Sequence, residues 1–298
     1  MIDILKKYGE VKEQESLKNY TTYKVGGNAK YIVFPNNLDD LVSLIKYLNE
    51  NNIKHMVLGN GSNTLFSDKL YDGVIIKLTN FKDIKIEGNV VTAGAGVMFP
   101  RLVNECVNNN LAGLEWASGI PGTIGGAVWA NAGAYKEETF DYLESITCID
   151  PDGNIKEFSA KDIKHSYRYT EFKDILKEYV VVNAILRLKE GTKEESQAIM
   201  ARRLEKRLAT QPLEYPSAGS VFRNPEGDTA GRIIEQDLGL KGKINGGAMI
   251  SDKHANFIIN YNNAKATEIK ELMDLVHDSA LEKDNIDLIL EQELINWE

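Results

Sequence analysis

Four short segments carry residue types that could do chemistry. The first, Gly59-Asn60-Gly61-Ser62-Asn63, follows an expected buried strand over 53–58. Successive backbone N–H groups in such a turn can cradle an anion, glycine permits close approach, and Ser62 and Asn63 add hydrogen bonds. It is not a dinucleotide fingerprint, because Thr64 stands where a third glycine belongs, and no P-loop pattern occurs in the chain. A tight polar turn is the other reading open here. The second, Tyr167-Arg168-Tyr169-Thr170-Glu171-Phe172, frames an arginine with aromatics, an arrangement suited to bidentate pairing with a carboxylate. A surface hairpin arginine fits it better when the segment is taken alone. The third, Gly219-Ser220-Val221-Phe222-Arg223-Asn224-Pro225, offers a hydroxyl without a GxSxG elbow or an obvious histidine base. Such a serine can donate a proton where the resulting charge is stabilised. In the fourth, strand alternation puts Ile289, Glu291 and Glu293 on one face and Ile286, Leu288, Leu290 and Leu294 on the other. Solvent exposure of the carboxylate face is equally compatible.

These segments must be positioned, and residues 113–135 are the element best suited to do it. GLEWASGIPGTIGGAVWANAGAY holds six glycines and five alanines in 23 residues. Side-chain volume is nearly absent, as a backbone that approaches something closely requires. A flexible linker is disfavoured, because Ile120, Ile124, Val128 and Trp129 need burial. A ligand-facing loop is expected, and a bulky change such as Gly125→Val is expected to cost ligand occupancy first.

The remaining pattern is mixed α and β. Residues 1–16 read as a short polar helix. Asn36 or Asn37 can cap a helix over 38–51 with Leu38, Leu41, Val42, Ile45 and Leu48 on one face. Strands are expected at 31–34, 53–58 and 73–78. Two hairpins come next, turned on Gly88-Asn89 and on Pro151-Asp152-Gly153, then a strand over 178–189. Helices are expected near 98–110, 193–209 (capped by Thr192 with Glu195), 229–237 and 267–284. His277 edges the apolar stripe of the last of these and reads as a core-edge or surface residue.

Bulk numbers narrow the function classes. The 298-residue chain has a net charge of −9, which argues against nonspecific nucleic-acid or anionic-membrane binding. Residues 201–250 hold eight Lys/Arg against six Asp/Glu, a net of +2, and so could receive a small anionic ligand. Cys106 and Cys148 form no CxxC or zinc spacing, so no metal is expected and both should be reduced thiols. The charged N-terminus is not a signal sequence, and no apolar run is long enough to span a membrane. A cytoplasmic monomer is expected.

Taken in order, NYTTYKVGGNA, LGNGSNTLFSD, the 113–135 stretch, YRYTEF, GSVFRNP, GLKGKINGGAMISDKHANFIIN and the final glutamate-bearing strand closely resemble the bacterial UDP-N-acetylenolpyruvoylglucosamine reductases, also called UDP-N-acetylmuramate dehydrogenases. The likeness runs from about residue 17 to the C-terminus. It implies an α+β chain with an FAD-binding fold of the vanillyl-alcohol-oxidase (PCMH) type and a C-terminal α/β substrate domain. The implied boundaries are 17–78 and 79–191 for two FAD-binding subdomains and 192–298 for the substrate domain. FAD would be held noncovalently and reduced by NADPH. Gly59, Asn60, Gly61, Ser62 and Asn63 would hold its pyrophosphate. Gly119, Pro121, Gly122, Thr123, Gly125, Gly126, Ala132 and Gly133 would lie along it. Arg168, Ser220 and Glu293 match the family's catalytic residues, with Glu291 the fallback carboxylate, and Asn224, Lys241 and His254 match its substrate contacts. Ile295 stands where the family often has arginine. Only 52 residues separate Arg168 from Ser220, so the resemblance is to the type without a tyrosine-bearing lid loop. The alternative the residues leave open is another FAD-dependent oxidoreductase of the same fold, of the kind that attaches flavin through a histidine. His55 is the candidate for that role.

Overall fold

The computed structural model describes all 298 residues. They form two compact units that interleave in sequence. The first comprises Met1–Glu13, Tyr31–Asn60 and Asp72–Leu204, and the second Gln14–Lys30, Gly61–Tyr71 and Glu205–Glu298.

In the first unit a five-stranded antiparallel sheet runs in the order Ile155–Ser159, Leu143–Ile149, Val180–Arg187, Val90–Gly94, Ile84–Glu87. A four-stranded sheet is ordered Gly9–Ser16, Asn28–Pro35, Tyr71–Ile76, His55–Val57, with its last two strands parallel. The Leu38–Glu50 helix begins where expected. Asn37 Oδ1 accepts the Asp40 N–H at 3.0 Å, Asp39 and Asp40 lie in its first turn, and Leu41, Leu44, Ile45 and Leu48 are buried. The N-terminal expectation is corrected. Only Ile2–Leu5 is helical, and Gly9–Ser16 is a strand. GEVKEQES has no helical apolar stripe to bury, and pairing in a sheet, where the charged side chains suit an edge, decides its conformation.

The glycine-rich stretch is ordered by this unit's core. Phe99 N–H bonds Gly122 O, Ile124 N–H bonds Val97 O, and Gly125 N–H bonds Ala95 O, each at 2.9 Å. Thr123 caps the Ile124–Ala130 helix, and Asn131 ends it in the left-handed region at φ 45°. Asn131 is fully buried. Its Oδ1 accepts from Phe140 N–H at 3.2 Å, and its Nδ2 donates to Ser166 O at 3.0 Å.

In the second unit a three-stranded antiparallel meander of Ile244–Asn245, Ala248–Ile250 and Ile258–Asn260 accompanies the Ala266–Asp284 helix. That helix buries Ile269, Leu272, Met273, Val276 and Ala280, and Asp68 accepts its Ala266 and Thr267 N–H groups at 3.0 Å. A parallel pair joins Thr64–Phe66 to Glu293–Ile295. The Lys193–Thr210 helix carries the chain from one unit to the next and buries only Ser196, whose hydroxyl donates to Glu115 at 2.6 Å.

Asn131→Ala removes two buried hydrogen bonds and leaves a Cβ in the left-handed region. It should lower the unfolding free energy by about 3 kcal/mol. Asn131→Gly should recover only the backbone part, on the order of 1 kcal/mol. Urea denaturation of the three proteins checks both, and an Asn131→Ala loss below ~1 kcal/mol would contradict this accounting.

Candidate active site

In the first unit the His55–Val57 strand delivers the chain to Gly59 beside Ile76, with Leu58 N–H on Ile76 O at 3.0 Å. Two hydrogen bonds fix the start of the turn. Lys77 Nζ donates to the Gly59 carbonyl, and Asn60 Nδ2 donates to Pro121 O at 2.6 Å; a Cβ on Gly59 would lie only 2.7 Å from Thr123 Oγ1. The turn at 59–60 and the 121–123 loop, expected to hold one cofactor, are therefore in direct contact. Lys77 is 7% exposed, and burial pushes its ammonium down to about 8.

The remaining glycines divide by what they face. A Cβ on Gly125 would come within 2.9 Å of Ala95 Cβ, so glycine is required there by the chain's own strand, before any ligand. Gly126 meets only Thr123 Oγ1, at 3.5 Å. A Cβ on Gly133 would lie 2.5 Å from Glu137 O and 3.1 Å from Arg168 Nη1.

Arg168 sits in the short hairpin of His165–Ser166 and Tyr169–Thr170, at φ 57°. Its Nη2 donates to Gly133 O at 2.6 Å, and its guanidinium lies 4.8 Å from the Tyr167 ring centre. The hairpin is tied to the end of the glycine-rich helix by Asn131 on Ser166 O and by Thr170 Oγ1 on Trp129 O at 2.7 Å. The glycine-rich stretch thus also positions the arginine. Asn131 carries much of that role, and an asparagine among five alanines was its only signal in the sequence.

In the second unit Gly61, Ser62 and Asn63 continue the turn. Asn63 Nδ2 donates to Glu291 O, and Asn63 O accepts Glu293 N–H, both at 2.9 Å. The Ser220 segment is sewn to the same strand, with Glu291 N–H on Val221 O at 2.8 Å and Arg223 N–H on Ile289 O at 2.9 Å. Asn256 clasps Phe222 from the other side, accepting its N–H at 2.9 Å and donating to its carbonyl at 2.8 Å. Glu291 and Glu293 are half-buried on one face, while Leu288 and Gln292 are buried on the other. Ile295 is half-buried and pairs with Phe66.

Asn224, Lys241 and His254 gather around one short helix in this unit. Asn224 Oδ1 accepts the Ala230 N–H at 3.1 Å. His254 Cε1 is 3.3 Å from where a Gly231 Cβ would stand. Lys241 Nζ bonds Glu235 at 2.8 Å, one turn further on. Burial, with Lys241 nearby, lowers the His254 pKa. The ring is therefore neutral at pH 7, and since Nδ1 accepts the Asn256 N–H at 3.3 Å, its proton is on Nε2. Arg232 is held by Asp228 and Asp237, with bonds of 2.8 Å from Nε to Asp228 and from Nη1 to Asp237. Its guanidinium is committed inside the unit, and the pair draws the Asp228 carboxyl down to about 2. His55 Nδ1 lies 2.8 Å from Ile53 O and donates there.

Several features suit FAD. The glycine turn lets backbone approach closely, Lys77 supplies buried positive charge beside it, and Gly126 leaves its surroundings open. Residues 29–159 match the family model of an FAD binding domain, and residues 211–295 match that of the UDP-N-acetylenolpyruvoylglucosamine reductase C-terminal domain. The UDP-N-acetylenolpyruvoylglucosamine reductase of Caldanaerobacter subterraneus subsp. tengcongensis is 39% identical over 298 residues, which is 99% of this chain and 98% of that protein. The one from Caldicellulosiruptor saccharolyticus is 41% identical over 287 residues, 96% of this chain and 91% of that protein. The crystal structure of the Thermus caldophilus UDP-N-acetylenolpyruvylglucosamine reductase superposes with a TM-score of 0.81 at 35% identity, covering 96% of this chain and 98% of that one. Phl p 4.0202, a glucose dehydrogenase, has a TM-score of 0.50 at 13% identity over 74% of this chain and 51% of its own, a likeness of fold alone.

Lys77 gives the turn at Gly59 a pH signature. Its folded pKa of about 8 lies below the ordinary 10.5, so between those values the unfolded chain binds more protons. The stability of the wild type relative to Lys77→Met should be level below pH 8 and rise as pH climbs towards 10.5, by up to about 3 kcal/mol. Unfolding at a series of pH values tests it, and a difference that stays flat across that window would contradict the buried-ammonium assignment.

Proposed function

The chain belongs to the UDP-N-acetylenolpyruvoylglucosamine reductase family, and from that premise we propose that it reduces UDP-N-acetylenolpyruvoylglucosamine to UDP-N-acetylmuramate with NADPH, in peptidoglycan precursor synthesis. FAD, when bound, would supply hydride transfer between NADPH and C3 of the enol ether. The turn at Gly59, Asn60, Gly61, Ser62 and Asn63 would hold its pyrophosphate, and Pro121, Thr123 and Gly126 would lie along it. Hydride addition leaves C2 as an enolate of the substrate carboxylate, and Arg168 stabilises that charge as it forms. Ser220 Oγ donates the proton to C2 and recovers it from solvent. A serine is a weak acid, so the step succeeds only because the enolate is strongly basic. Glu293 activates the enolpyruvyl group. Asn224, Lys241 and His254 bind the UDP-sugar, and neutral His254 donates from Nε2.

The observation that carries this reading is the direct backbone bonding of the Ser220 segment to the segment that leads into the Glu293–Ile295 strand, at 2.8 Å between Glu291 N–H and Val221 O. It gives a hydroxyl and a carboxylate a fixed relation, as proton delivery requires. We further propose a cytoplasmic monomer. The two free cysteines, Cys106 and Cys148, are buried, and burial pushes both thiols up to about 12, in keeping with a reducing compartment. No helix is long and apolar enough to cross a membrane.

Ser220→Ala should leave NADPH reduction of the flavin unchanged and slow reoxidation by UDP-N-acetylenolpyruvoylglucosamine by about 10²- to 10⁴-fold. Stopped-flow traces of the two half-reactions separate these effects. A folded variant that loses both together would contradict the role given to Ser220.

A further inference from the structure

Gln292 stands between the two glutamates in sequence and faces the opposite way, 3% exposed. Its Oε1 accepts the Tyr23 hydroxyl at 3.0 Å. Its Nε2 lies 3.2 Å from the carbonyl oxygens of Ala218 and Gly219 and 3.3 Å from that of Ser220. Two amide N–H groups are thus shared among three consecutive carbonyls. Carbonyls of successive residues point to one spot only when the backbone folds back, and Gly219, at φ 77°, makes the fold. Tyr23 fixes which way the amide faces. It is fully buried, burial raises its pKa, and it therefore remains a donor. The reverse orientation would aim Oε1 at three carbonyl oxygens and the NH₂ at the phenol.

We infer that Gln292 is a positioning residue for the reduction: its side chain fixes the turn that carries Ser220, and its own backbone leads directly into Glu293. This rests on the reading of Ser220 as proton donor. One residue then registers the donor hydroxyl against the carboxylate, since buried Gln292 immediately precedes half-buried Glu293, the first residue of the Glu293–Ile295 strand. Val221 and Phe222 are held independently by Asn256 and by the main chain of Glu291, so loss of Gln292 loosens residues 218–220 while those two stay in place. Misplacement of a reacting group by about 1 Å can cost on the order of 10²-fold in rate.

The test is a double-mutant cycle on the two half-reactions of the flavin-loaded enzyme. Gln292→Met keeps the volume and removes every hydrogen bond. Flavin content and the rate of bleaching by NADPH should stay within about twofold of wild type, while reoxidation by UDP-N-acetylenolpyruvoylglucosamine falls about 10- to 100-fold. In the Ser220→Ala background the same substitution should change reoxidation by less than about twofold. Equal slowing with and without the serine would overturn the inference, because Gln292 would then act elsewhere. Unchanged reoxidation in Ser220→Ala alone would instead remove the proton-donor reading and the positioning role with it. Should Gln292→Met not fold, Tyr23→Phe, which unpins the amide, must slow reoxidation selectively, and its failure to do so would equally overturn the proposal.

Discussion

Irregular backbone buried in a protein needs hydrogen-bond partners that helices and sheets do not supply there, and in this chain buried or half-buried carboxamides supply them. Each carboxamide offers donors and an acceptor from one rigid plane, and the segments assigned to chemistry are tied by one. Asn131 holds the arginine hairpin to the glycine-rich helix. Gln292 gathers the carbonyls of 218–220, and Asn256 brackets Phe222. Asn63 reaches the Glu291 carbonyl, and Asn60 reaches that of Pro121. The turns that carry the site residues thus have their geometry set largely by neutral side chains.

An anionic substrate gains charge during hydride addition, and cations committed to structural pairs cannot meet it. Arg232 is such a committed cation, between Asp228 and Asp237. Arg168 donates to a backbone carbonyl and lies over an aromatic face, contacts that orient its guanidinium. Ile295 is an apolar residue in a short parallel pair.

Much of this was legible in the sequence. The Asn37 cap, the two hairpins and the amphipathic helix ending at Asp284 arise from local rules, and the ordered motifs led to the family and its flavin. The features that stayed hidden depend on partners distant in sequence. Gly9–Ser16 looks helical by composition because nothing local reveals the strand it pairs with. Gln292 carries no local signal, because its partners Tyr23 and Ala218–Ser220 lie 269 and 72–74 residues away. Gly125 read as a ligand contact, yet Ala95 already accounts for the missing side chain. Composition tells that a backbone must come close to something, and only the fold tells to what.

Electrons pass from NADPH through a noncovalently held flavin to an enolpyruvyl carbon. An anaerobic titration of the purified protein tests this most directly. NADPH should bleach the flavin's visible absorption, and one equivalent of UDP-N-acetylenolpyruvoylglucosamine should restore it with formation of UDP-N-acetylmuramate, whereas UDP-N-acetylglucosamine should not. A flavin that NADPH leaves oxidised, or whose colour returns only when oxygen is admitted, would contradict the account.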